Sequence, residues 1–197
     1  METVREILHN FLLLFAMVNA IGNLPLFADL TAGMSGPVRS RTFRVAVVTG
    51  GAIVLCFAVF GDVMLRYVFD VSMPAFKIAG GILVFIVAAR GVILGSKGSV
   101  PGVEGGEQVA VFPLGFPYLA GPGTILTTIL LLQTSGHLLT VVTVVLVYLS
   151  ILPLLRLAAL VERAIGKIGV IVVSRILYIF ICAKAVSFVL DGLRIPL

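Results

Sequence analysis

Apolar residues run along this chain in long continuous stretches and not in alternation. The stretch from Val141 to Leu155 carries no charged residue. A helix of about 20 apolar residues crosses the roughly 30 Å hydrocarbon layer of a bilayer. Six runs fit that length, at about 4–30, 45–65, 74–95, 113–132, 137–160 and 168–190. Sustained period-two alternation, the mark of a lipid-facing β-barrel, is missing, so the pattern predicts an all-α membrane protein with six transmembrane helices.

Two of the six runs are interrupted. Residues 113–125 read PLGFPYLAGPGTI, with three prolines and three glycines. Pro117 and Pro122 lack an amide hydrogen, so a helical segment here leaves the carbonyls of Pro113 and Tyr118 without their usual partner. The helix that restarts at Pro122 presents free amides at Gly123, Thr124 and Ile125, where the helix dipole favours an anion. In the first run, NAIGNLP at Asn19 to Pro25 is a second polar break. A plainer reading of either break is a kinked helix packed against a neighbour, because Gly and Pro are common in membrane spans. Three prolines within ten positions exceed what one kink requires, and paired asparagines beside a break favour a polar cavity. The predicted contact residues are therefore Asn19, Gly22, Asn23, Pro25, Pro117, Gly121, Pro122, Gly123 and Thr124.

Between the third and fourth runs lies a Gly-rich polar stretch, Ser96 to Gln108, at the middle of the chain. It divides the chain into units 1–97 and 98–197 with three spans each. At an offset of about 97 residues Pro25 falls over Pro122, Arg66 over Arg163, Gly95 over Gly192 and Lys97 over Arg194. Three spans is an odd number, so the second unit enters the membrane from the opposite side and the repeat is inverted. Paired interrupted segments in inverted repeats point to a midplane substrate site in secondary transporters.

Composition agrees with the membrane reading. Only 12% of the 197 residues are charged and 60% are hydrophobic, against about 25% charged in a soluble domain. In a soluble protein the net charge of +5 would raise nucleic acid as a partner; here its distribution reports topology, and the partner implied is the lipid bilayer. Arg39, Arg41, Arg44, Lys97, Arg156, Arg163, Lys167 and Arg175 collect on one side, against Arg5, Arg66, Lys77 and Arg194 on the other. The excess marks the cytoplasmic face, which places both termini outside the cytoplasm. The short apolar core at Phe11 to Val18 also resembles a signal peptide, but its basic end is weak and apolar residues continue past the supposed cleavage point. Cys56 and Cys182 lack metal or redox spacing and read as small apolar fillers.

Charges inside spans are functional candidates by default. Arg90 and Lys184 lie deepest, as cavity charges or as side chains that snorkel to the interface. Asp29, Asp62, Asp191, His9 and His137 fall near span ends and suit solvated roles. The sequence offers no nucleophile with a base, no metal-ligand cluster and no phosphate loop, so neither an enzyme nor a cofactor is expected.

The motif P-L-x-x-P-x-x-A-G-P-G-T-I at Pro113 to Ile125, with K-I-A-G-G-I at Lys77 to Ile82 and D-G-L at Asp191 to Leu193, resembles the MarC-type family of small six-span proteins, also called the neutral amino acid transporter family. The resemblance covers essentially the whole chain. It implies a plasma-membrane protein of bacteria or archaea that transports small neutral amino acids such as glycine and alanine, driven by an ion gradient where coupling exists. The family often carries an Asp-Pro pair before x-G-N-x-P; this chain has Asn19-Ala20 there, so a neutral amide stands in place of a carboxylate. The resulting expectation is a transporter for a small zwitterion, its carboxylate on the amides of Gly123, Thr124 and Ile125 and its ammonium on the carbonyls of Ile21, Pro113 and Tyr118, helped by Asn19 or Asn23. A channel or exporter for another solute, and a non-transporting membrane scaffold, are the alternatives. Whether the chain forms a homo-oligomer is left open.

Overall fold

The computed structural model describes residues 2–31, 33–95 and 107–193, and among them it is helical with no strand. Residues 96–106 of the predicted linker and Arg194 lie outside the described residues, as do the side chains of Arg163 and Lys167. Helix α1 spans Glu2–Val18 and α2 spans Leu24–Leu30. Helix α3, Gly36–Val63, continues into a wider π-helical turn at Met64–Val68, and α4 covers Met73–Leu94. A single turn, α5 at Glu107–Val109, leads into irregular residues 110–119. Helix α6, Pro122–Leu193, is divided by the left-handed glycines Gly136 (φ 77°) and Gly166 (φ 71°) into segments 122–135, 137–165 and 167–193.

Among the described residues, four stretches are long and apolar enough to cross a membrane: Gly36–Val68, Met73–Leu94, Pro122–Leu157 and Ile168–Leu193. The first predicted span is delivered as α1 and α2, two shorter pieces separated at the Asn19 break. Helix α3 starts nine residues before the predicted apolar run. Ser35 is extended (φ −63°, ψ 153°) and Pro37 stands in the first turn, where its fixed φ and missing amide are tolerated. Arg39, Arg41 and Arg44 therefore ride on a helix and not on a loop.

Glycines set the contacts between helices, as expected where backbones must approach without a hydrophobic drive. On α3, Gly50 lies against Leu119 and Tyr148, and Gly61 against Ile129. Residues 119–129 thus run alongside α3 in the same direction. Leu155 shares a cavity with Arg39, so the segment 137–165 runs back the opposite way. On α4, Gly80 meets Leu126, Gly81 meets Phe188 and Gly91 meets Tyr178; α4 is antiparallel to both the first and third segments of α6. Asn10 donates to Ser135 at 2.9 Å and Met17 packs on Gly123, so α1 descends along the first segment.

The core centres on Leu14, Val18, Phe27, Val54, Leu119 and Ile151, with a second cluster around Val84, Ala88, Leu126 and Phe188. Ile86, Leu149 and Phe180 face outward. Such apolar exterior suits lipid contact, because hydrocarbon takes the place of water around the helices. Cys56 is also exposed on α3 and does not serve as the core filler expected from sequence.

Candidate functional site

The two breaks converge on one cavity of about 70 Å³. Asn19 and Asn23 reach it from the first break, and Pro117, Gly121, Pro122, Gly123 and Thr124 from the second. Its walls are Val84 and Ala88 of α4 and Tyr178 and Ile181 of the third segment of α6. Seven of the nine predicted contact residues are brought together, although they are separated by about a hundred positions in the chain.

At the first break, α1 ends at Val18 and Asn19 adopts φ 52°, a left-handed conformation that asparagine tolerates better than most residues. The turn folds its side chain inward, over Gly22. A methyl at Gly22 would overlap the Asn19 amide. Asn19 is 6% exposed, and both its Oδ1 and its Nδ2 are buried without a hydrogen-bond partner. Buried polar groups are nearly always paired, so a full amide with neither bond made calls for an explanation. Asn23 is tied down: the Tyr178 hydroxyl donates to its Oδ1 at 2.6 Å. Gly22 does not line the cavity; its carbonyl accepts a hydrogen bond from Ser174. Pro25 lines a neighbouring cavity of about 110 Å³ with Asp29, Gly95, Ser174 and Arg175.

The second break is built from backbone. Phe112 and Phe116 are extended, at φ −134°, and the Phe112–Pro113 and Phe116–Pro117 bonds are cis. Pro113 and Pro117 therefore do not interrupt a regular helix, and the expected release of the Pro113 carbonyl by Pro117 does not arise. Instead the Ala120 amide returns to the Gly115 carbonyl at 2.9 Å, and the Leu119 carbonyl accepts from the Tyr148 hydroxyl at 2.7 Å. Gly121 packs with its Cα against the Pro117 carbonyl, where an added methyl carbon would stand at 2.6 Å. The helix restarts as predicted at Pro122, and its first turn stays open at Gly123 and Thr124. The Ile125 amide does not belong to this set, because it bonds to the Gly121 carbonyl at 3.0 Å. The Ile21 carbonyl is taken too, by the Leu24 amide at 3.1 Å.

Neither intramembrane cation lines the cavity. Arg90 is exposed on α4, one turn beyond the cavity residue Val87, and its charge acts on Tyr118 in the cavity wall. Lys184 places its Nζ 5.1 Å from the centre of the Phe188 ring, a cation–π contact. Sequence reasoning missed Tyr148, Ser174 and Tyr178, which hold the breaks in place. Ser174, Tyr178, Ile181, Ala185 and Phe188 recur at helical spacing, so a polar pair on an otherwise apolar face was the available signal.

Fold and cavity together define an all-helical integral membrane protein whose polar groups gather at two helix breaks. The profile of the MarC family integral membrane protein matches residues 4–197, and the chain belongs to that family. It is 35% identical over 193 residues to a UPF0056 membrane protein of Archaeoglobus fulgidus, covering 93% of this chain and 90% of the relative. The UPF0056 membrane protein YvbG of Bacillus subtilis is 31% identical over 201 residues, covering 95% and 94%. YhcE of Escherichia coli is 32% identical over 199 residues, covering 93% and 90%. No solved structure matches the chain.

Proposed function

We propose that the protein is a secondary transporter of small neutral amino acids, with its substrate held between the two helix breaks. The observation that carries this reading is that Asn19, whose buried amide has no partner, and the helix start at Gly123 and Thr124 line one cavity. An anion is favoured at that helix start, so the substrate carboxylate sits on the Gly123 and Thr124 amides. The Asn19 Oδ1 and the Tyr118 carbonyl, which Pro122 cannot satisfy, accept from the ammonium. A cavity of about 70 Å³ suits a small solute, since about 10–15 Å³ of such space already holds one water. Met17, Val84 and Ala88 make its wall apolar.

The same reading takes residues 1–97 and 98–197 as inverted repeats of three spans each, with α1–α2 and residues 107–135 as the paired broken spans. It is supported by the directions of the helices: α3 descends or rises opposite to α4, and the segments 137–165 and 167–193 oppose one another in turn. The membrane is the plasma membrane of a prokaryote, and both termini face outward by the placement of Lys and Arg.

Counterflow in liposomes tests the proposal. Labelled alanine should enter faster into vesicles preloaded with glycine or alanine than into empty ones, and leucine or propionate inside should not stimulate it. Uptake that ignores the internal solute would identify a pore; no uptake at all, with the protein folded, would leave a scaffold.

A further inference from the structure

The basic end of α3 carries a second cavity, of about 140 Å³, lined by Gly36, Arg39, Ser40, Phe43, Leu155 and Arg156. It lies where α3 begins and the segment 137–165 passes it, away from the Asn19 break. Topology alone asks only that Lys and Arg gather near span ends; it does not ask two arginines from different helices to line one hollow. Three features point to an anion. The Arg39 Nε is buried with no hydrogen-bond partner, which is costly for a charged donor. No side chain caps the start of α3, and a methyl at Gly36 would meet nothing within 4 Å, so the helix start opens onto free space there. A helix N-terminus of 28 residues adds its dipole to the two guanidinium groups. The floor is apolar: the Arg39 guanidinium carbon stacks 5.3 Å from the Phe43 ring centre, beside Leu155.

We propose that this cavity binds the phosphate group of a phosphate ester. Arginine forks match phosphate oxygens in pairs, the Gly36 end of α3 supplies dipole and amide, and Ser40 supplies a hydroxyl. At the level of the headgroups an anionic phospholipid presents that group with a glycerol ester that would lie on Phe43 and Leu155, and basic pockets between spans bind such headgroups. A soluble phosphate ester would use the same polar contacts without the apolar floor. The site is independent of the amino acid cavity, so its failure leaves the transport reading untouched.

Thermal unfolding of the purified full-length protein separates these cases. Phosphatidylglycerol added to protein in phosphatidylcholine should raise the unfolding temperature by several degrees, through ligand linkage to the folded state. Added phosphatidylcholine should not. The double variant Arg39→Gln with Arg156→Gln should lose the shift, and Arg39→Lys with Arg156→Lys should keep part of it. A shift produced in full by inorganic phosphate, with nothing further from phosphatidylglycerol, assigns the cavity to a soluble phosphate. The proposal is overturned if the wild-type protein shifts with none of these additions, or if the glutamine variant shifts as the wild type does. Should that variant fail to fold, native mass spectrometry of the wild type decides: phosphatidylglycerol retained no better than phosphatidylcholine rejects the site.

Discussion

The two breaks do the same thing to a helix by different means. At Asn19 to Asn23 the interruption is made with side chains: a left-handed asparagine folds its amide over Gly22, and hydroxyls of Ser174 and Tyr178 hold the turn from another helix. At 112–121 it is made with backbone: extended phenylalanines, two prolines and a glycine pressed on the Pro117 carbonyl. The Tyr148 hydroxyl ties that turn to a packed helix at the Leu119 carbonyl, which the Thr124 hydroxyl also reaches at 3.5 Å. A side-chain break can yield by rotating a bond, whereas a backbone break can yield only by moving the chain. The first is therefore suited to adjust to a solute and the second to position one.

The glycine pair gives the largest effects and the sharpest contrast. Gly121→Ala forces a methyl toward a backbone carbonyl, and overpacking of this kind costs about 1–3 kcal/mol; unfolding temperature and binding should both fall. Gly22→Ala meets first the Asn19 side chain, which can turn aside, so alanine binding should weaken at least tenfold, about 1.4 kcal/mol, while the unfolding temperature stays near wild type. Equal stability losses in the two variants would erase the distinction between the breaks.

Asn19→Gly comes next. It removes the unpaired amide and places at φ 52° the residue most at ease there. Affinity should drop about tenfold, or about 1.4 kcal/mol, with stability kept or raised, as read by calorimetric titration beside a melting curve. A loss of stability without loss of affinity would show that the amide is structural.

Smaller effects are expected where one hydroxyl is removed. Interhelical hydrogen bonds in membranes average about 0.6 kcal/mol and reach about 1.7. Tyr148→Phe leaves the Leu119 carbonyl with only the longer bond from the Thr124 hydroxyl, at 3.5 Å, and should sit at the upper end, whereas Ser174→Ala should sit near the average; chemical unfolding in mixed micelles would rank them. Smallest of all, Lys184→Gln should leave binding unchanged, losing only a cation–π contact of about 0.5–1 kcal/mol. A change in affinity would bring that cation to the cavity.

Much of this was legible in the chain. Prolines and glycines act on their own backbone, so the break at Pro117 to Thr124 and the restart at Pro122 could be read locally, and α4 falls within one residue of its expected start and end. Helix α3 begins before its apolar run because the Ser35-Gly36-Pro37 start signal, and not hydropathy, sets its first residue. The irregular path through Phe112 and Phe116 was missed because a proline in an apolar run reads first as a kink. Arg90 and Lys184 were candidates because depth in a span is visible in sequence, while the direction a side chain faces depends on which stripe of the helix finds a partner.

By itself, the sequence determined that the chain is a bundle of membrane helices and that two of its runs must break, since hydropathy and the missing proline amide are properties of local covalent structure. The tertiary structure alone decided that the breaks meet, which carbonyls and amides remain open, and that Asn19 is left unpaired while Asn23 is not. Those outcomes depend on contacts such as Tyr178 with Asn23 and Tyr148 with Leu119. Such pairs lie far apart in the chain and are brought within hydrogen-bond reach only when glycine-lined helices pack.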